Sequence, residues 1–266
     1  MGPAEAAIVE TFVAPRYLEL YSSLALEMVA VSEDAQLAHL HCGTGFPERA
    51  LLDLLPNVHI YGADSSPAAI ELARLKQAAT AGLVAEYAVA EGYPLPFPGE
   101  SFSHALSLAS PLTVPEARWH LLHETWRLLA PNGQALLALP LRDSYQELLD
   151  FLREYALKYD SPEVSSAVER MSARPTLDSL RAEFETVGFG FVEARGRTHT
   201  LRFANGRAFF EDPISRFCIL PDLALQQSIA SPERPLAYVK EAIDKYFSDR
   251  PFELTIHVGC VTGRRP

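Results

Sequence analysis

Apolar and polar positions along the chain fall into two alternating rhythms. Residues 9–31 carry helical spacing, with Leu18, Tyr21, Leu24 and Met28 as the recurring apolar positions. From residue 37 the rhythm shortens. LAHLH (37–41) reads as a strand that runs into the glycine pair Gly43 and Gly45, and ERALLDLL follows as a helix. VHIYGAD (58–64) predicts a second strand, and the next helix is expected to open with Ser66 as N-cap and Pro67 in its first turn. AEYAVA (85–90) and SHALSLA (103–109) read as the third and fourth strands. ARWHLLHETWRLL (117–129) is an amphipathic helix expected to stop at a Pro131-Asn132-Gly133 turn, and QALLALP (134–140) is the fifth strand.

After residue 140 the alternation loosens. Helices are predicted over 143–159 and 176–189, the latter ending at Gly188. FVEARGRTHTLRF (191–203) and FELTIHVGCVTG (252–263) alternate like strands, and a helix over PLAYVKEAIDKYF lies between them. The reading is α/β: a doubly wound, mostly parallel sheet closed by an antiparallel C-terminal strand pair, with helical insertions. The expected organisation is a helical cap over 1–34 and a core of 35–203 and 251–266. That core would be interrupted by a helical insertion at 141–173, with a lid or substrate insertion over 204–250. Ligands of such a sheet bind beyond the carboxyl ends of the strands, where strand order reverses. HCGTGF (41–46) is therefore the place to look for chemistry.

Composition narrows the classes. The 266 residues are 48% hydrophobic and 21% charged, which provides a real core. The 23 Lys and Arg against 34 Asp and Glu give a net charge of −11, a poor surface for gripping phosphate backbones, so no nucleic-acid partner is expected. No basic-then-apolar leader and no apolar run of membrane length appear, and Cys42, Cys218 and Cys260 are few and scattered. Together these suggest a cytoplasmic protein without a membrane partner.

Gly43 and Gly45 suit a backbone that approaches a ligand closely and turns into a helix. Asp64 ends the second strand about twenty residues on, the place of a carboxylate that bonds ribose hydroxyls. A nicotinamide fingerprint would want Gly or Ala where Glu48 stands, and a carboxylate at that helix start opposes a pyrophosphate. A nucleoside ligand without phosphate fits better.

The ordered segments HLHCGTGF, YGADSSPAAIELAR, AEGYPLPFPGESFSHALS and ETWRLLAPNGQALLALP resemble the class I S-adenosylmethionine-dependent methyltransferases, a Rossmann-like fold. The likeness is nearest to the small-molecule branch that includes the ubiquinone and menaquinone C-methyltransferases, with a degenerate first motif. It covers roughly residues 35–140. The resemblance implies S-adenosyl-L-methionine as cofactor and a small-molecule acceptor with an O, N or C nucleophile. It places Gly43 and Gly45 under the methionine portion, Asp64 on the ribose, Ser65 beside the adenine, and Glu91 and Gly92 at its amino edge. Leu108 to Ser110 would lie beside the transferred methyl. His41 stands in this cofactor loop where the family has glycine, His39 where it has an acid, and Ser103 where it has Asp. These departures motivate an alternative, a catalytically inactive pseudo-methyltransferase that serves as a binding or assembly module.

Other candidates have plainer readings. His39 and His41 form H-x-H on a strand, expected to face one side, with Cys42 and His59 near; spacing secures no third ligand, so no metal is assigned. His104, His120, His123 and His199 sit in predicted regular elements, and no catalytic base is nominated among them. Tyr17 and Tyr21, four apart on the first helix, read as core contacts rather than a cofactor cap. Arg195, Arg197, Arg202 and Arg207 read as a solvated face.

Overall fold

The computed structural model describes residues 1–108, 115–223 and 232–266. Strands β1 (Gln36–Leu40), β2 (His59–Asp64), β3 (Val84–Val89), β4 (Phe102–Leu108), β5 (Leu129–Pro140), β6 (Gly190–Phe203) and β7 (Phe252–Arg264) form one sheet in the order β3-β2-β1-β4-β5-β7-β6. The pairs β2–β3, β1–β2, β1–β4 and β4–β5 are parallel, while β5-β7-β6 is the antiparallel part. The doubly wound sheet with an antiparallel closing pair is therefore as the hydrophobic pattern predicts. Strand order reverses between β1 and β4, so the crevice expected to take a ligand opens at their carboxyl ends.

The chain divides into two compact units, one of residues 1–139, 176–196 and 259–266, the other of 140–175 and 197–258. In the first, α1 (Pro3–Ile8), a π-helical segment (Val9–Leu18) and α2 (Glu19–Leu26) replace the single helix that spacing predicts. Pro15 lies inside the π segment, where a missing N–H and a bulky ring disfavour regular α-helical bonding. Tyr17 and Tyr21 are core residues, with the Tyr21 hydroxyl donating to Tyr17 Oη at 3.0 Å. Leu37, Ala38 and Leu40 of β1 and Ala105 and Leu106 of β4 are fully buried, at roughly 2 kcal/mol for each large apolar side chain. Helix α3 is Glu48–Leu54 and α4 is Pro67–Ala79. Ser66 caps α4 by accepting the Ala69 N–H at 3.3 Å, with Pro67 in the first turn, as expected.

The predicted Pro131-Asn132-Gly133 turn is not a break. Helix α5 (Pro115–Leu128) passes directly into β5, and these three residues lie inside the strand. The positive φ of Asn132 (66°) and a register shift against Phe102 and His104 absorb the kink. Pairing with the chain's last residues holds it there, with the Asn132 N–H on Arg265 O at 2.7 Å and the Arg265 N–H on Gly133 O at 3.0 Å. Helix α8 (Leu177–Val187) ends on Gly188 at φ 110°, a left-handed position that favours glycine.

In the second unit α6 (Gln146–Tyr159) turns Leu148, Leu149, Phe151, Leu152 and Ala156 inward and packs against α7 (Pro162–Ser172), a helix that the sequence pattern did not reveal. Helix α9 (Gly206–Glu211), a short π turn (Ser215–Ile219), α10 (Leu220–Asp222) and α11 (Glu233–Tyr246) complete it. Phe151, Phe203 and Phe209 gather around Phe252 as its aromatic core. Among the described residues no helix is long and apolar enough to cross a membrane.

Candidate functional site

The site grows out of how β1 ends. The strand stops at Leu40, and His41 takes a left-handed conformation at φ 56°. The two histidines of H-x-H therefore do not share a strand face, contrary to the expectation from alternation. A non-glycine residue there costs about 1 kcal/mol of backbone strain. His39 stays in the strand, buried, with Nδ1 3.1 Å from Glu48 Oε1. Tyr87 of β3 donates its hydroxyl to the other oxygen of Glu48. The carboxylate that opens α3 thus turns inward beneath the loop and ties three elements together. Burial and the Glu48 carboxylate push the Tyr87 phenol far above its ordinary value.

The two loop glycines have different duties. A Cβ on Gly43 (φ 54°) would meet nothing within 4 Å, so its backbone faces open space. A Cβ on Gly45 (φ 76°) would lie 3.1 Å from Glu48 Oε2 and 3.3 Å from both Ala73 Cβ and Tyr87 Oη. Gly43 can be approached by a ligand; Gly45 lets α3 and α4 close on the loop. The loop is anchored from behind as well. Lys76 Nζ donates to Thr44 O at 2.9 Å and pairs with Glu10 at 2.7 Å, while Thr44 Oγ1 donates to Glu10 at 2.6 Å.

Asp64 stands at the end of β2, half-buried and held at both oxygens. Oδ2 accepts the Gly43 N–H at 3.0 Å and Oδ1 accepts the Ser66 N–H at 2.8 Å. A carboxylate has about four acceptor positions, so two backbone bonds leave it able to take a pair of vicinal hydroxyls. Ser65, beside it, is exposed. The Ala90 N–H donates to Asp64 O at 3.0 Å, which draws the end of β3 alongside and sets exposed Glu91 and Gly92 next in the chain. A Cβ on Gly92 (φ 146°) would also meet open space. Leu108 ends β4 and is buried; Ala109 and Ser110 lie outside the described residues. The structure thus brings His41, Gly43, Asp64 and the end of β3 to one edge of the sheet, with Gly45 behind them.

Two further residues belong to this edge. The His41 ring bridges Ser107 Oγ, 3.4 Å from Nδ1, and Tyr93 Oη, 3.1 Å from Nε2. Tyr93 stands in a pinned loop, because Glu124 of α5 accepts the Leu95 N–H at 2.8 Å and Arg127 donates to Phe97 O at 3.1 Å. Burial lowers the His41 pKa below its ordinary 6.5, against a smaller upward pull from Asp64 and a downward one from His39. Burial, then the Glu124 carboxylate, raises the Tyr93 phenol. Both residues stood in the quoted motifs, but nothing in their spacing showed that a left-handed turn would aim one at the other.

Ser103 is elsewhere. It opens β4 at the amino end of the sheet, where its hydroxyl accepts the Gln36 N–H at 3.1 Å and lies 2.9 Å from His104 Nδ1. Its departure from the family pattern therefore lies at the opposite end of the sheet from His41, Gly43 and Asp64. His59 pairs with Glu86 at 3.3 Å and Tyr61 at 3.2 Å rather than joining His39 or His41. His120 and His123 are exposed on α5. Arg195, Arg197, Arg202 and Arg207 are exposed, with Arg202 on Glu253 and Arg207 on Glu211, both at 2.8 Å.

Residues 38–133, which span β1 to the start of β5, match a family model described as a methyltransferase domain. A search of curated proteins finds no match. Among solved structures, a methyltransferase candidate from Bacillus halodurans C-125 is similar at 17% identity and a TM-score of 0.59, over 92% of this chain and 98% of that one. Phosphoethanolamine N-methyltransferase 2 of Haemonchus contortus, solved with S-adenosyl-L-methionine, is similar at 14% identity and a TM-score of 0.56, over 99% of this chain and 56% of that one. The [4+2]-cyclase SpnF is similar at 15% identity and a TM-score of 0.55, over 93% of this chain and 80% of that one. Methyltransferase-domain folds thus have neighbours named for other chemistry, and the reaction has to be argued from the site.

Proposed function

We propose that this methyltransferase domain moves a methyl group from S-adenosyl-L-methionine to a small-molecule nucleophile. The observation that carries the reading is Asp64, fixed by two backbone N–H groups yet able to accept more, beside the open backbone of Gly43. These residues fit an adenosyl group: Asp64 would hold the ribose hydroxyls, Gly43 would admit the methionine portion, and Glu91 and Gly92 would meet the adenine edge with Ser65. When bound, the cofactor supplies an electrophilic methyl on a sulfonium sulfur. The chain's task is then largely to hold nucleophile and methyl in line, which by itself lowers a barrier by several kcal/mol. The acidic surface supports a small acceptor over nucleic acid, and buried Cys42 and Cys260 suit the reducing cytoplasm. The likeness to the quinone C-methyltransferase branch belongs to the same proposal.

Calorimetry with S-adenosylhomocysteine tests it. The wild-type chain is expected to bind in the micromolar range and Asp64→Ala about a hundredfold more weakly, from loss of charge-assisted bonds to two hydroxyls. Absence of heat at millimolar ligand overturns the reading.

One observation favours the second reading, a scaffold without transfer: the His41 ring spans from β1 to Ser107 and Tyr93 across the crevice. If the ring excludes the cofactor, His41→Gly creates binding that the wild type lacks. If both bind alike, this reading falls.

A further inference from the structure

We propose that Tyr93 and His41 form a proton-accepting dyad at the crevice, and that the acceptor is therefore a phenolic or enolic hydroxyl. This deepens the reading above and rests on it. The geometry is a short chain across the carboxyl ends of β1 and β4, with Tyr93 Oη 3.1 Å from His41 Nε2 and His41 Nδ1 3.4 Å from Ser107 Oγ. With its proton on Nδ1, facing Ser107, the imidazole presents a lone pair on Nε2 to the Tyr93 O–H. Tyr93 and His41 are both partly exposed and Tyr93 follows Gly92 in the chain; in this proposal the acceptor meets the Tyr93 oxygen and His41 stands behind it.

The groups facing the dyad suit that direction of proton flow. His39 on β1 and Asp64 on β2 act on the imidazole in opposite senses, and burial outweighs both, keeping it neutral near pH 7. Glu124 on α5 helps keep the Tyr93 phenol protonated, so Tyr93 passes a proton on rather than holding a charge. Ser107 on β4 adds no charge. After the transfer, the Asp64 carboxylate favours the imidazolium.

In the step, an oxygen lone pair of the acceptor forms the new bond to the methyl carbon, and the old bonding pair stays on sulfur as a neutral thioether. The acceptor's proton moves to Tyr93 Oη while the Tyr93 proton moves to His41 Nε2; the imidazolium later gives it to water. A neutral amine needs no such partner, because it attacks with its free pair and sheds any proton afterwards. A hydroxyl does need one. Tyr93 would be the catalytic residue and His41 the residue that positions it and stores the proton.

The experiment uses the full chain and tritiated-methyl S-adenosylmethionine with a phenol series (catechol, hydroquinone, 4-nitrophenol) and an amine series (ethanolamine, glycine, histamine). Label is expected in the phenol series, at a rate that rises with pH as His41 loses its proton. Tyr93→Phe and His41→Gly should lose about a hundredfold in kcat with little change in KM. S-adenosylhomocysteine affinity should stay within threefold. Added imidazoles should restore the His41→Gly rate in proportion to their basicity, which mere filling of a hole would not do. Independently of activity, the 15N resonance of His41 Nε2 in the S-adenosylhomocysteine complex should be that of an unprotonated nitrogen and should move in Tyr93→Phe. Label confined to amines or absent from both series, or variants that keep their rate, overturns the dyad. Failure to bind S-adenosylhomocysteine at all would overturn the proposed function beneath it.

Discussion

The two ends of strands β1 and β4 carry the same residue types and behave oppositely. At the amino end Ser103 bonds Gln36, the His104 Nε2 lies 2.8 Å from Ala30 O, and Gln134 holds both Met28 O and the Ala30 N–H at 2.8 Å. Each of those polar groups is matched by a neighbour within the fold. At the carboxyl end a second serine and histidine, Ser107 and His41, sit beside a carboxylate with acceptor positions left over and a glycine that faces open space. Composition alone does not separate a structural end from a functional one. Hydrogen-bond accounting does, because buried polar groups are normally satisfied and an excess of oriented capacity marks a place for a ligand.

That contrast can be broken most severely from below the loop. Glu48→Ala leaves His39 and Tyr87 buried without their acceptor and opens a hole, so a loss of about 3 kcal/mol in chemical unfolding is expected. An unchanged denaturant midpoint would show that the buried network contributes nothing. A smaller effect separates the glycines. Gly45→Ala should destabilise by about 2 kcal/mol, since left-handed strain adds to contacts at 3.1 Å and 3.3 Å. Gly43→Ala should cost about 1 kcal/mol of stability but weaken S-adenosylhomocysteine about tenfold, because its methyl enters the open space. Equal losses of stability in the two would contradict the division of duties.

Acid should act on the amino end. Burial depresses the folded-state pKa of His104 below 6.5. Between that depressed value and 6.5 the unfolded chain binds more protons, so stability falls as pH drops through 6.5 and levels off below the folded value. His104→Gln should flatten that slope in thermal melts from pH 7 to pH 5; an unaltered slope would exclude it as a source. Smallest of all, Ser103→Ala should cost about 1 kcal/mol and leave S-adenosylhomocysteine affinity within twofold. A tenfold loss of affinity would mean that the two ends are not separate.

Much of the molecule was legible in the sequence where local and tertiary preferences agree. Alternating β-branched and apolar runs located the strands to within a few residues, Ser66 and Pro67 marked a helix start, and Asp64 lies at the end of β2. What stayed hidden needed the partner in space. Pro131-Asn132-Gly133 carries every local mark of a turn, yet pairing with Arg265 far along the chain draws it into β5. Glu48 looked like a charge offered to a ligand, whereas two side chains from other strands turn it inward. His41 looked like a strand residue standing where the family has glycine; a positive φ removes it from the strand, and Tyr93 and Ser107 give its ring a direction.

A crystal structure of the full chain grown with saturating S-adenosylhomocysteine tests the excess capacity at the carboxyl end most directly. Density for the ribose diol on the Asp64 carboxylate, with the thioether chain over Gly43 and the His41 ring still against Tyr93, is the predicted result. A structure grown under the same conditions with that edge empty, or with the nucleoside bound elsewhere, would contradict it.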